Sequence, residues 1–222
     1  MKFSKATLEI LKNFSSINSS ILFRPGNVIR TITPLKQVVA SGKISESFDR
    51  EAAIYDLSQF LGTLSLFSDP DIEFGDKSAR ITDATGAVAN YTYASKEAIV
   101  AAPDKDLVLP SEDVTFTLEE KALTSALKAA AVMGLPNVSL IGRGDVVYLS
   151  AINSGNASDH SWEQPVGATE YEFQMIYRLE NLKFLPRDYK VAIAKDKLIT
   201  RFVSVQSDVV YYTSAENGSK FK

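Results

Sequence analysis

The sequence predicts an α+β chain in which one unit is built twice: two similar domains, each with two helices packed on short antiparallel strands. Three observations carry that prediction. Amphipathic helical spacing near the N-terminus recurs beyond residue 118, each helical segment is followed by short β-branched runs broken at Pro, Gly, Asn and Asp, and matching residues recur in order at offsets of 116 to 122. At 222 residues, two copies of about 110 can each bury a proper core.

Residues 4–17 set Ala6, Ile10, Leu11, Phe14 and Ile17 on one side of a helix, with Phe3 just ahead, and Lys5 and Lys12 together on the other side. After Asn18 come strands at 21–24, 28–33 and 38–44, with Pro25-Gly26-Asn27 as a turn. Residues 50–55 predict another strand, and Asp56 is a suitable N-cap for a second helix that turns Leu57, Phe60, Leu61 and Leu64 inward. Strands at 72–74, 79–82 and 88–93 close the first copy. Residues 99–112, bounded by Pro103 and Pro110, read as extended chain, which gives domains at 1–104 and 113–222 joined by a connector at 105–112.

The second copy starts with a strand at 114–117 and a helix at 118–133. That helix carries Ala122, Leu123, Ala126, Leu127, Ala130 and Met133 on one face, Lys121 and Lys128 opposite, and Gly134 and Pro136 as its stop. Its second helix has room for about one turn, between Asn181 and Pro186, and would carry Lys183. Lys5/Lys121 and Lys12/Lys128 match at 116. Ile54-Tyr55-Asp56-Leu57 is echoed by Ile176-Tyr177-Arg178-Leu179 at 122, and both Asp76-Lys77/Asp196-Lys197 and Tyr91-Thr92-Tyr93-Ala94/Tyr211-Tyr212-Thr213-Ser214 match at 120.

Composition removes whole classes of chemistry. The chain has 27 acidic and 24 basic side chains, a formal charge of −3, no cysteine and one histidine. Disulfides, thiolate metal sites, a cysteine nucleophile and multi-histidine metal sites are therefore excluded. The N-terminus lacks the apolar core of a signal peptide, and the longest apolar stretch, 60–67, is far short of the ~20 residues of a membrane span. Asn-x-Ser/Thr triplets at Asn13, Asn18, Asn90, Asn137, Asn156 and Asn217 then carry no meaning as glycosylation sites. Mild acidity argues against a protein that grips nucleic acid with its whole surface but leaves room for a local basic stripe.

The two pairs of lysines are such a stripe. Charge opposite an apolar face is ordinarily only the solvated side of a helix. Here both first helices place lysine at the same two positions, with Glu9 and Glu120 the nearest acids, in a chain that is net acidic. Lysine is a flexible point charge suited to phosphate contact that reads no sequence, and no aromatic platform for single strands accompanies it.

At this point the residues resemble a known family. Met1-Lys2-Phe3-Ser4-Lys5, Leu11-Lys12-Asn13-Phe14, Ile17-Asn18-Ser19, Ala53-Ile54-Tyr55-Asp56-Leu57, Phe60-Leu61-Gly62 and Leu64-Ser65-Leu66 are similar to the sliding clamps of T4-type bacteriophages, and Asp188-Tyr189-Lys190 after Pro186 matches their C-terminal half. The similarity is dense over 1–67 and collinear beyond. The resemblance implies the DNA-clamp fold and a homotrimeric ring of two-domain subunits with helices lining the hole. It implies a non-catalytic processivity factor without cofactor that encircles double-stranded DNA and tethers the replicative DNA polymerase. It also implies loading by a clamp-loader ATPase complex, service to other replication and late-transcription factors, and residence in the cytoplasm of the infected bacterial host.

By the resemblance, Lys5, Lys12 and Lys128 fall where the family has basic residues facing the hole; with Lys121 and Lys183, which the repeat adds, all five are expected to face it, fifteen charges (5 × 3) in a trimer of formal charge −9 (3 × −3). The family's arginine just after the position of Lys128 is missing from Ala129-Ala130-Ala131, so the second domain is expected to hold DNA more weakly. Edge strands need capping; residues 89–94 of one subunit, with Tyr91, Thr92 and Tyr93, are expected to meet 159–166 of the next, with His160 and Trp162 at the contact. Val108, Leu109 and Pro110 are expected to rim an apolar pocket for a polymerase peptide. Residues 153–170 and 214–222 match the family poorly.

Other signals read as ordinary structure. Gly142-Arg143-Gly144-Asp145 between apolar runs is a hairpin turn, and Asp69, Asp71, Glu73 and Asp76 lack the spacing of a calcium loop. The competing reading is an enzyme that uses carboxylates in a cleft between the two halves.

Overall fold

The structure, a computed structural model, describes residues 1–156 and 158–222. Ala157, in the triplet that begins at Asn156, lies outside the described residues. The chain divides into two compact units, Met1–Asp106 and Leu107–Lys222.

The first unit opens with α1 (Lys5–Ile17), which buries Thr7, Ile10, Leu11 and Phe14. Ser4 is its N-cap and accepts from the Thr7 amide. Asn18 ends the helix and is fully used: its Nδ2 donates to the carbonyls of Ile32 and Val100 at 2.8 and 2.9 Å, and its Oδ1 accepts from the Ser20 amide. Then come β1 (Ile21–Phe23), β2 (Gly26–Ile32), β3 (Val38–Phe48), β4 (Ala52–Ile54), α2 (Leu57–Leu64), β5 (Asp71–Phe74), β6 (Ser78–Thr82) and β7 (Val88–Thr92). β1 pairs with β4, β2 with β3, and β5-β6-β7 form an antiparallel meander. The core is aromatic, with Phe23 stacked on Phe48 at 4.5 Å and Phe74 edge-on to Phe48 at 5.1 Å.

The second unit contains β8 (Val114–Leu118), α3 (Glu120–Met133), β9 (Asn137–Arg143), β10 (Val146–Ile152), β11 (Trp162–Ala168), β12 (Phe173–Arg178), a 3-10 turn (Leu179–Asn181), β13 (Tyr189–Ala194), β14 (Ile199–Ser204), β15 (Val209–Ser214) and β16 (Lys220–Phe221). One sheet runs β11-β10-β9-β12-β16, and β8, β13, β14 and β15 pair in that order in another. Gly134 closes α3 in the left-handed region at φ 67, its amide returning to the Ala130 carbonyl. Gly144 and Asp145, both at positive φ, make the two-residue turn between β9 and β10.

Several boundaries differ from the expectation. Gly26 and Asn27 begin β2, and a bulge between Gly26 and Val28 absorbs the bend assigned to a turn. β3 runs on to Phe48 because its polar residues alternate with buried Ile44 and Phe48, as a strand with one wet face requires. The strand expected at 50–55 is only β4. Leu118 pairs with Tyr189 in β8, so α3 starts two residues later than predicted. The second helix expected between Asn181 and Pro186 is absent, and the 3-10 turn ahead of it takes its place. Leu182 and Leu185 are buried there and Phe184 stacks on Tyr211 at 4.3 Å, which leaves Lys183 exposed on non-helical chain. The tail forms β16, with Phe221 stacked on Phe173 at 5.2 Å. Among the described residues no helix is long and apolar enough to cross a membrane.

Candidate nucleic-acid interface

Seven residues advance a helix by 700°, within about 20° of two full turns, so side chains seven apart share a face about 10 Å apart along it. α1 thereby exposes Lys5, Glu9, Lys12 and Ser16 in one row opposite its buried side. α3 exposes Lys121, Ser125, Lys128 and Val132 in the same way and buries Leu123, Ala126 and Ala130. None of Lys5, Lys12, Lys121 or Lys128 forms an ion pair among the described residues. Each second lysine also walls an apolar groove: Lys12 one of about 210 Å³ beside Leu8, Leu61 and Phe67, and Lys128 one of about 340 Å³ beside Leu127, Phe184 and Pro186.

The lysines begin where a helix disfavours them. A cation in the first turn opposes the helix dipole and costs about 0.3–1 kcal/mol. Lys5 is the first residue of α1, whose first turn has no acidic residue, and Lys121 is the second of α3. In both units a carboxylate from a distant strand or loop offsets this. Glu46 of β3 accepts from the Ser4 amide and the Thr7 hydroxyl, and Asp188 accepts from the Glu120 amide at 2.8 Å. Burial pushes the Glu46 carboxyl up, but the hydrogen bonds from Thr7 and Ser4 outweigh it and hold it below the usual range. Sequence reasoning missed both caps because they join residues 42 and 68 apart.

The segment Ala53-Ile54-Tyr55-Asp56-Leu57 is a structural junction. The Asp56 side chain caps α2 by accepting from the Gln59 amide, its carbonyl accepts from the Tyr91 hydroxyl at 2.9 Å, and the Leu57 amide donates to the Ser19 carbonyl. This turns Tyr91 inward, edge-on to Phe60 at 5.1 Å. Burial pushes the Tyr93 hydroxyl up to about 12, and it has no hydrogen-bond partner among the described residues. Of the residues expected at a subunit contact, Thr92 is exposed beside Val88 and Asn90 on β7, the outer strand of its meander. β11 is likewise the outer strand of its sheet, with Trp162 half-buried at its start and His160 exposed just ahead.

Leu109 is 8% exposed and fills its own crevice against Ala192, Ala194, Ile199 and Tyr212, whereas Val108 is 87% exposed. Tyr212 donates from its hydroxyl to the Leu107 carbonyl at 2.6 Å. The acidic residues 69–76 are occupied elsewhere: Asp69 pairs with Lys2, Asp71 with the Met1 amine and Asp76 with Arg50.

Residues 2–101 match the family model described as DNA polymerase processivity factor. The sliding clamp of Vibrio phage KVP40 is 32% identical over 221 residues, covering 97% of this chain and all of that protein. The sliding clamp of Escherichia phage RB69 is 30% identical over 233 residues, spanning both proteins in full. Among solved structures, the proliferating cellular nuclear antigen of Entamoeba histolytica superposes with a TM-score of 0.70 over 97% of each chain at 12% identity, a likeness of fold. The chain therefore belongs to the sliding-clamp family of DNA polymerase processivity factors.

Proposed function

We propose that this chain assembles as a homotrimeric ring around double-stranded DNA, that α1 and α3 of each subunit face the duplex, and that the ring tethers the replicative DNA polymerase without catalysing a reaction itself. The observation that carries the reading is the matched pair of exposed rows: lysines at identical positions, 116 residues apart, without ion-pair partners among the described residues, in a chain of formal charge −3. Four such lysines in each of three subunits give twelve charges that contact phosphates without reading bases. The free outer edges of β7 and β11 support a ring, since an unpaired edge seeks a partner strand and two complementary edges on one chain close on copies of it. Monomer alone across the micromolar range in sedimentation would refute the trimer.

The same reading takes the ring to the cytoplasm of an infected bacterium, where a clamp-loader ATPase opens it and other replication and late-transcription factors use its outer face. The connector, with Val108 and Pro110 exposed around a buried Leu109, is the proposed place for a polymerase peptide. A carboxylate-based enzyme is disfavoured by the similarity to phage sliding clamps along nearly the whole chain.

The test replaces Lys12 and Lys128 by glutamate. Both are exposed, so folding and trimer formation stay within about 0.5 kcal/mol of the parent. Loading onto nicked circular DNA and processive synthesis fall, and loaded parent ring is lost when the circle is cut. Parent-level loading by the double variant at low salt would remove these lysines from the DNA-facing surface.

A further inference from the structure

The two exposed rows correspond residue by residue: Lys5 with Lys121, Glu9 with Ser125 (125 − 9 again gives 116), Lys12 with Lys128 and Ser16 with Val132. Their charges do not match. The α1 row carries two cations and one anion; the α3 row carries two cations, a hydroxyl and an exposed Val132. Glu9 stands four residues after Lys5 and three before Lys12, so its β-carbon lies about 5–6 Å from each of theirs. That is inside the Debye length of about 8 Å at physiological salt, so a phosphate drawn to either lysine also meets the carboxylate.

We propose that Glu9 attenuates the hold of α1 on DNA, so that α3 makes the stronger phosphate contact in each subunit. The inference rests on the reading of α1 and α3 as DNA-facing. It reverses the expectation drawn from Ala129-Ala130-Ala131, where Ala129 is on the half-buried flank and Ala130 is buried, so that only Ala131 of the three is exposed. An attenuated helix suits a ring that must move: each phosphate neutralised adds salt-dependent affinity, and a row that engaged many at once would arrest sliding.

The test uses the complete ring, loaded onto duplex DNA stretched between two ends, with one-dimensional diffusion followed from 50 to 200 mM salt. Glu9→Gln and Glu9→Ser slow sliding about two- to fivefold at the low-salt end, the effect of one exposed charge per contact, and the gap closes as salt rises. Ser125→Glu speeds sliding by a similar factor, because it gives α3 the charge pattern that the α1 row has. Glu9→Asp keeps the charge and behaves as the parent. Diffusion unchanged in both Glu9→Gln and Ser125→Glu overturns the inference, as does Glu9→Asp behaving like Glu9→Gln, which would assign the effect to the shape of the side chain. The outcome separates from the larger reading through the Lys12→Glu/Lys128→Glu ring: if that variant loads poorly while Glu9 variants slide normally, only the attenuating role is lost.

Discussion

Leu109 and its neighbour Val108 give opposite expectations for two substitutions one residue apart. Leu109→Ala removes three carbons from a side chain 8% exposed against Ala192, Ala194, Ile199 and Tyr212. At about 0.8 kcal/mol per buried carbon, with a small cavity left because two of those neighbours are alanines that cannot fill it, the cost is about 2–3 kcal/mol. In a chain of this size that lowers the melting temperature by about 5–10 °C. Leu109→Asp costs more, since it buries a carboxylate without a partner. Val108→Asp, at 87% exposure, changes stability by no more than about 0.5 kcal/mol. Urea unfolding at one fixed protein concentration, so that assembly does not shift between variants, gives the stabilities. Titration calorimetry with a peptide from the polymerase C-terminus gives the affinities. Weaker peptide binding by Val108→Asp at unchanged stability marks the connector as the docking site. Leu109→Ala within 0.5 kcal/mol of the parent, or Val108→Asp costing more than about 1 kcal/mol, would refute the account of the connector.

Two further substitutions test how α1, proposed to face DNA, and the outer strand β11 are held. Glu46→Gln weakens the carboxylate cap on α1 and costs about 1 kcal/mol at pH 7. Because the Glu46 carboxyl is held below its ordinary value of 4.5 in the folded chain, its contribution is present above that value and is lost as pH falls through the folded one; a parent-to-variant gap as large at pH 3 as at pH 7 would contradict this. Gly167→Ala places a β-carbon 2.8 Å from Cβ of Phe116, which displaces β11 at a cost of about 1–3 kcal/mol. Sedimentation then shows a trimer that dissociates at higher protein concentration than the parent; an unchanged midpoint would mean that β11 is not at the subunit contact.

Local physics made the helices legible and left their partners hidden. The apolar spacing of α1 and α3 is a property of consecutive residues, and so is the Asp56 cap of α2. The end of α3 was equally readable from Gly134, whereas its start was not, because Leu118 satisfies helical spacing yet is claimed by pairing with Tyr189, 71 residues on. The missing second helix of the second unit has a similar cause. Leu182, Phe184 and Leu185 are apolar enough for a helical turn, but stacking of Phe184 on Tyr211 and a hydrogen bond from the Leu185 amide to the Tyr211 hydroxyl keep them out of a helix. Tyr91 shows how little of a contact is local: its hydroxyl donates to the Asp56 carbonyl, 35 residues away, a partner that no spacing in the sequence indicates.

The lysine rows were legible because they break a local rule. A helix surface shaped for solubility and stability alone favours acids in the first turn and bases in the last. α1 has no acid in its first turn, no base in its last and a lysine at its first position. Its negative charge comes instead from Glu46 on β3, and α3 draws one more from Asp188. On the proposed reading, a first-turn lysine kept in both helices, with no first-turn acid in α1 and only Glu120 in α3, and offset by carboxylates brought from elsewhere in each unit, is what selection for an external anion leaves behind. Solvation alone gives no reason for Lys5 and Lys121 to stand in the first turn, whereas the proposed contact of a row two turns long, shared with Lys12 and Lys128, with phosphate does.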